Sequence, residues 1–224
     1  MNYILLSEKS WHQDLFLNLQ NQIPGSWTHI NSKNQFTSEN IKELNPAFIF
    51  IPHWSYIIPS VIYENFLCIV FHMTDLPFGR GGSPLQNLIT KGFKQTIISA
   101  IKVEEGIDTG PVFMKSPLVL LGTAEEIFIR ASSIIEIMIK KIITQQLKPV
   151  KQVGIPVVFK RRRPEDGCIT SCENIEQLFD LIRMLDCEGY PQAFYENDKF
   201  RFEFTRASLK AGKKIFADVR IIEK

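Results

Sequence analysis

The sequence predicts an open α/β sheet, mostly parallel in its first half, followed by a small α+β subdomain. Short apolar runs at residues 3–6, 47–52 and 66–71 stand between helix-patterned segments, as a parallel sheet with crossover helices requires. The longest amphipathic helix closes this region, and shorter alternating runs follow it. The composition, 45% hydrophobic and 22% charged over 224 residues, excludes disordered and collagen-like classes.

The elements follow in order. Residues 3–6 (YILL) predict a strand, and Trp11, Leu15, Phe16 and Leu19 keep helical spacing after a polar turn. Residues 25–30 predict a second strand and Asn40 to Leu44 a short helix. Residues 47–52 (AFIFIP) and 66–71 (FLCIVF) predict two buried strands, with a loop and helical crossover between them. Residues 96–103 and 112–120 alternate as two further strands. In 123–147, Thr123 and Glu126 form a capping box, and Ile127, Ile134, Ile135, Met138, Ile142 and Ile143 trace one apolar stripe. Lys148-Pro149 ends this helix, and a boundary is expected near residue 150: a domain over 1–150 and a subdomain over 151–224. In the latter, 174–186 reads as an amphipathic helix with Ile175, Leu178, Phe179, Ile182 and Leu185 on one face. Residues 193–204 and 214–222 read as short strands.

Charge and cysteines narrow the function. The 26 basic and 24 acidic residues leave a net charge of +2, which argues against a dedicated nucleic-acid binder. Cys68 reads as buried packing. Cys168 and Cys172 have no histidine at zinc spacing, so no metal is expected. No signal peptide pattern opens the sequence and no apolar run reaches the roughly 18 residues of a membrane span, so a cytoplasmic setting without membrane contact is expected.

In an open α/β sheet the ligand sits beyond the carboxyl ends of the strands. His53-Trp54-Ser55 and His72-Met73-Thr74-Asp75 fall at such ends. Gly79-Arg80-Gly81-Gly82 lacks the spacing of a dinucleotide fingerprint and reads as part of a long loop, so a nucleotide cofactor of that kind is disfavoured.

Two segments carry the chemistry: FHMTDLPFGRGGSPLQNLI (71–89) and VEEGIDTGP (103–111). His72, Leu76-Pro77, Arg80-Gly81, Pro84 and the loop Glu105-Gly106-Ile107-Asp108-Thr109-Gly110 resemble, in order and spacing, the formyltransferases that use N10-formyltetrahydrofolate. The resemblance covers residues 1 to about 150 and implies a Rossmann-like core. It implies His72 and Asp108 as catalytic groups. His72 would polarise the formyl oxygen or shuttle a proton, and Asp108 would orient His72 and relieve the amine of its proton. It places folate against His53, Trp54, Ser55 and the loop Glu104, Gly106, Ile107 and Asp108. It places Thr74, Arg80, Gly81 and Gly82 toward the acceptor, with Arg80 to Gly82 as a mobile loop. One departure stands out: the family's Asn two residues before the His is Val70 here, which cannot donate a hydrogen bond. Asn87 and Thr74 are the replacement donors within reach in sequence, and Asn87 is carried as the catalytic candidate.

The stretches FKRRRPEDGCI and LIRMLDCEGYPQAFYENDKFRF are similar to the C-terminal segment of nucleotide-sugar N-formyltransferases, and the overall likeness, including FHMTDLPFGRGGSPLQNLI and the missing Asn, resembles the formyltransferases of pseudaminic acid biosynthesis. That resemblance implies a UDP-linked 4-amino-4,6-dideoxy sugar as acceptor, with Arg161 in the run Lys160 to Arg163 on its diphosphate. A sugar rather than tRNA also agrees with the balanced charge and with a chain shorter than expected for a tRNA-acting enzyme. The alternatives are a methionyl-tRNA or carrier-bound amino acid acceptor, and a non-catalytic folate-binding domain. Oligomeric state is left open, with a homodimer among the readings.

Overall fold

The computed structural model describes residues 1–224. The elements run β1 (Asn2–Ser7), α1 (His12–Gln22), β2 (Ser26–Ile30), α2 (Ser38–Leu44), β3 (Phe48–His53), α3 (Ser60–Tyr63), β4 (Cys68–His72), β5 (Phe78–Gly81), α4 (Pro84–Thr90), β6 (Gln95–Lys102), β7 (Val112–Val119) and α5 (Ala124–Thr144). They continue with β8 (Val157–Phe159), α6 (Ile175–Leu185), β9 (Ala193–Glu196), β10 (Phe200–Lys210) and β11 (Lys214–Glu223). No helix is long and apolar enough to cross a membrane. The chain divides into two compact units. The first comprises Met1–Gly81, Thr96–Leu118 and Ile129–Val158; the second comprises Gly82–Gln95, Val119–Phe128 and Phe159–Lys224.

A six-stranded sheet ordered β2-β1-β3-β4-β6-β7 dominates the first unit. β1 pairs parallel with β2 and β3, β3 pairs parallel with β4, and β4 pairs antiparallel with β6. This is the α/β class the apolar runs predict, parallel in its first half. Ile4, Leu6, Ile49 and Ile51 pack with Ile30, Ile41 and Ile62 into one core cluster. Cys68 belongs to the same cluster, and burial pushes its thiol up to about 12, which makes it inert packing. α2 begins two residues before the expected start because Thr37 caps it, its side chain accepting from the Asn40 N–H at 3.2 Å. On α5, Ile127, Ile135, Met138 and Ile142 are buried as the stripe requires. Ile134 and Ile143 are half-buried at its flank.

The expectation that residues 79–82 are part of a long loop, with Arg80 to Gly82 mobile, is corrected for Gly79 to Gly81. Phe78–Gly81 is a strand, paired with Val157–Phe159 in a two-stranded sheet, where the Val157 N–H donates to the Pro77 carbonyl at 3.2 Å. A partner about 75 residues away in sequence supplies the ladder, which local glycine content hides.

In the second unit β9, β10 and β11 form an antiparallel sheet ordered β11-β10-β9. The two expected short strands are longer: β10 has 11 residues and β11 has 10. The expected end at 204 coincides with a bulge between Thr205 and Ser208, where Arg206 adopts a left-handed φ of 51°. The second half of α6 is buried on all sides, Arg183 included. Its guanidinium donates to the Leu120 and Gly122 carbonyls at 2.8 and 2.9 Å and to Asp180 at 2.6 Å, so a charge that periodicity puts in solvent is satisfied inside.

Candidate active site

β4 ends in His72, buried at the carboxyl edge of the parallel strands. Its Nε2 lies 2.7 Å from the Gly79 carbonyl. A carbonyl only accepts, so Nε2 carries the hydrogen and donates it. That leaves Nδ1 as the nitrogen free to exchange a proton, and Nδ1 stands 3.5 Å from Asp108 Oδ2. The imidazole and the carboxylate, 36 positions apart in the sequence, thus face each other within one unit.

Asp108 sits in the turn after β6 with a left-handed φ of 54°, an uncommon conformation for a residue with a side chain. Its Oδ2 accepts the Gly81 N–H at 2.8 Å. Gly110 closes the turn: a Cβ there would lie 1.8 Å from the Lys102 carbonyl oxygen, so only glycine permits this approach. Gly106, at φ 92°, lets the preceding residues turn back, and the Thr109 hydroxyl donates to the Glu105 carbonyl at 2.7 Å. Glu104, Gly106 and Ile107 are exposed, and Glu104 pairs with Lys102 at 2.9 Å.

Around this pair, Thr74 is buried with its hydroxyl 3.3 Å from the same Gly79 carbonyl, and its own carbonyl accepts from Ser99 Oγ at 2.7 Å. Arg80 donates through Nε and Nη2 to Gln152 Oε1 at 3.2 and 2.8 Å. Gln152 Nε2 in turn donates to the Asp108 and Gly110 carbonyls, both at 2.8 Å. Sequence reasoning missed Gln152, which lies in a segment without periodicity or motif. Val70, the departure two residues before His72, packs against the core cluster.

At the end of β3, burial, with the Lys9 ammonium adding to it, pushes the His53 imidazole down to about 3. Trp54 packs edge-on against Phe36 and Tyr56 with centroids 5.8 and 5.4 Å apart, half-buried on the core. Ser55 Oγ donates to Glu8.

The remaining candidates belong to the second unit. Asn87 Nδ2 donates to the Gly82, Ser83 and Lys160 carbonyls at 3.1, 2.9 and 2.9 Å. Its two amide hydrogens are shared among three acceptors, so it braces the start of α4 against residue 160. Gly82 permits that approach, since a Cβ there would fall 2.6 Å from Arg161 Cβ. Lys160, Arg161 and Arg162 line a cavity of about 380 Å³ with Asn87, Glu165 and Asp166.

The chain is similar to several known proteins. A family model for methionyl-tRNA formyltransferase, C-terminal domain, matches residues 164–222, and one for formyl transferase matches residues 5–128. A solved structure of methionyl-tRNA formyltransferase from Clostridium thermocellum is 53% identical, covers 100% of both chains and superposes with a TM-score of 0.96. Methionyl-tRNA formyltransferase from Rickettsia felis is 28% identical over 202 residues, 87% of this chain and 65% of that protein. The chain thus spans somewhat under two thirds of that curated relative. A sugar N-formyltransferase from a Shewanella species is 17% identical with a TM-score of 0.66 over 88% of this chain and 93% of its own, a likeness that shows the fold alone.

These findings correct two expectations, the nucleotide-linked amino sugar as acceptor and the absence of a nucleic-acid partner. The 53% identical protein, matched over its full length, is a methionyl-tRNA formyltransferase. The length argument fails because that protein matches this one end to end. The charge argument fails with it, because a net charge is a sum over the whole chain and does not identify a partner. With both family models matched in order along the sequence, the chain belongs to the formyl transferase family.

Proposed function

We propose that this chain transfers the formyl group of N10-formyltetrahydrofolate to the α-amino group of methionyl-tRNA. The observation that carries this reading is the 53% identity, over full length, to the methionyl-tRNA formyltransferase of Clostridium thermocellum. The chemistry of the site agrees with it. A neutral amine attacks the formyl carbon, a C–N bond forms, the bond from the formyl carbon to folate N10 breaks, and one proton passes from the amine to N10. His72 Nδ1 is the nitrogen that moves the proton, and Asp108 balances the imidazolium while it holds it. The residues fit a folate donor: the exposed turn 104–107 offers backbone donors and acceptors to a pterin edge, beside an exposed apolar side chain at Ile107. Lys160, Arg161 and Arg162 suit the phosphates of an RNA acceptor.

Incubation with the formyl donor and methionyl-tRNA should yield formylmethionyl-tRNA. His72→Asn and Asp108→Ala should each slow the reaction by about 100-fold, the scale of a general acid–base group. No product from methionyl-tRNA refutes the reading.

A further inference from the structure

We infer that Gln152 is a positioning residue that sets the Asp108 carboxylate against His72. As a statement about formyl transfer this rests on the function proposed above; as a statement about the site it stands on geometry. Asp108 is held in a left-handed conformation at φ 54°, which is strained for a residue with a side chain and persists only where its surroundings impose it. The Gln152 carboxamide imposes it. Nε2 donates to the Asp108 and Gly110 carbonyls, both at 2.8 Å, and so ties down two residues of the turn. Oε1 accepts from Arg80 at 2.8 Å on β5, next to Gly81, whose N–H holds Asp108 Oδ2 at 2.8 Å. One side chain therefore joins the turn to β5, the two elements between which the carboxylate is held.

The anchor is itself fixed. Two residues earlier, Val150 exchanges both backbone hydrogen bonds with Val112 at 2.8 Å. The chemistry also singles out glutamine. Arg80 only donates and the two carbonyls only accept, so the clamp needs an acceptor and a donor on one planar group. A glutamate would satisfy Arg80 but face two carbonyls with a carboxylate.

Gln152→Glu tests this, because a residue that merely paired Arg80 would be as good or better as glutamate. The expected result is a fall in kcat of about 10- to 100-fold with the KM for the formyl donor within about threefold, as for a misplaced catalytic group. Independently of any substrate, the Gly81 amide should exchange its hydrogen at least about tenfold faster, while amides of β1–β4 keep their protection. If Gln152→Glu does not fold, Gln152→Met, which keeps the side-chain length, is read in the same two ways. Unchanged Gly81 exchange overturns the inference, and so does uniform acceleration across β1–β4 in both variants, which marks a brace of the fold. If the wild-type chain formylates no methionyl-tRNA, the proposed function fails, while Gly81 exchange still decides the role of Gln152.

Discussion

Acidification should weaken the first unit through a histidine that takes no part in the proposed chemistry. His12 is 2% exposed at the start of α1, and its Nδ1 lies 2.6 Å from Oγ of Ser7, which is 0% exposed. Ser7 Oγ also accepts the Lys9 N–H at 3.2 Å, so the one polar neighbour of Nδ1 is a neutral hydroxyl with no charge to balance an imidazolium. Protonation would place a charge in a buried space without a counter-ion there. Burial above all, with His53, His29 and Lys9 adding to it, pushes the His12 imidazole from 6.5 down to about 3.

The sign follows from proton counting. Between pH 6.5 and 3 the unfolded chain binds a proton at His12 that the folded chain does not. The stabilisation is therefore complete above the unfolded value and lost as pH falls through this window. Between pH 7 and pH 5 the loss is about 2 kcal/mol, a sizeable part of the ~5–15 kcal/mol of a typical domain. His53, also pushed down to about 3, acts in the same direction. Urea unfolding of the wild type and of His12→Gln at pH 7, 6 and 5 measures the contribution as a difference, in which the carboxylates common to both cancel. The variant should lose about 2 kcal/mol less than the wild type over that range. Equal losses, within about 0.5 kcal/mol, refute the assignment of the effect to a neutral buried imidazole.

Two other sites make sharp predictions. Gly110→Ala drives a Cβ to within 1.8 Å of the Lys102 carbonyl and should cost about 3 kcal/mol, read as a drop in Tm of roughly 6–12 °C for a chain of this size. Arg183→Met strips the Leu120 and Gly122 carbonyls and Asp180 of their donor and should cost about 3 kcal/mol in urea unfolding. Asp180→Asn in that background should recover part of this loss, because it removes a carboxylate left with only the Lys94 ammonium at 4.0 Å.

How much was legible in the sequence depended on the range of the interaction involved. The apolar runs at 3–6, 47–52 and 66–71 became β1, β3 and β4 because burial on both faces of a parallel sheet leaves a local composition signal. The α5 stripe and its Thr123–Glu126 capping box are local too, and both bonds of the box are present at 2.8 and 3.2 Å. β5 escaped because its partner β8 is distant and its residues are rich in glycine. Arg183 escaped because its acceptors lie 61 and 63 positions away. The acceptor is not legible for another reason: length and net charge are whole-chain totals, and the run Lys160 to Arg163 suits a diphosphate as well as the phosphates of an RNA.

By itself the sequence determined, β5 apart, the order of the sheet strands and main helices and the two motif loops that hold His72 and Asp108, since these depend on periodicity and spacing along the chain. The tertiary structure alone decided which imidazole nitrogen is engaged, which backbone N–H meets the carboxylate, and that Gln152 spans from the turn to β5. The imidazole is engaged by a carbonyl 7 positions on, while the hydrogen bonds behind the other two join residues 27, 44 and 72 positions apart. A contact made only when distant segments meet leaves no mark on the residues beside it in the chain.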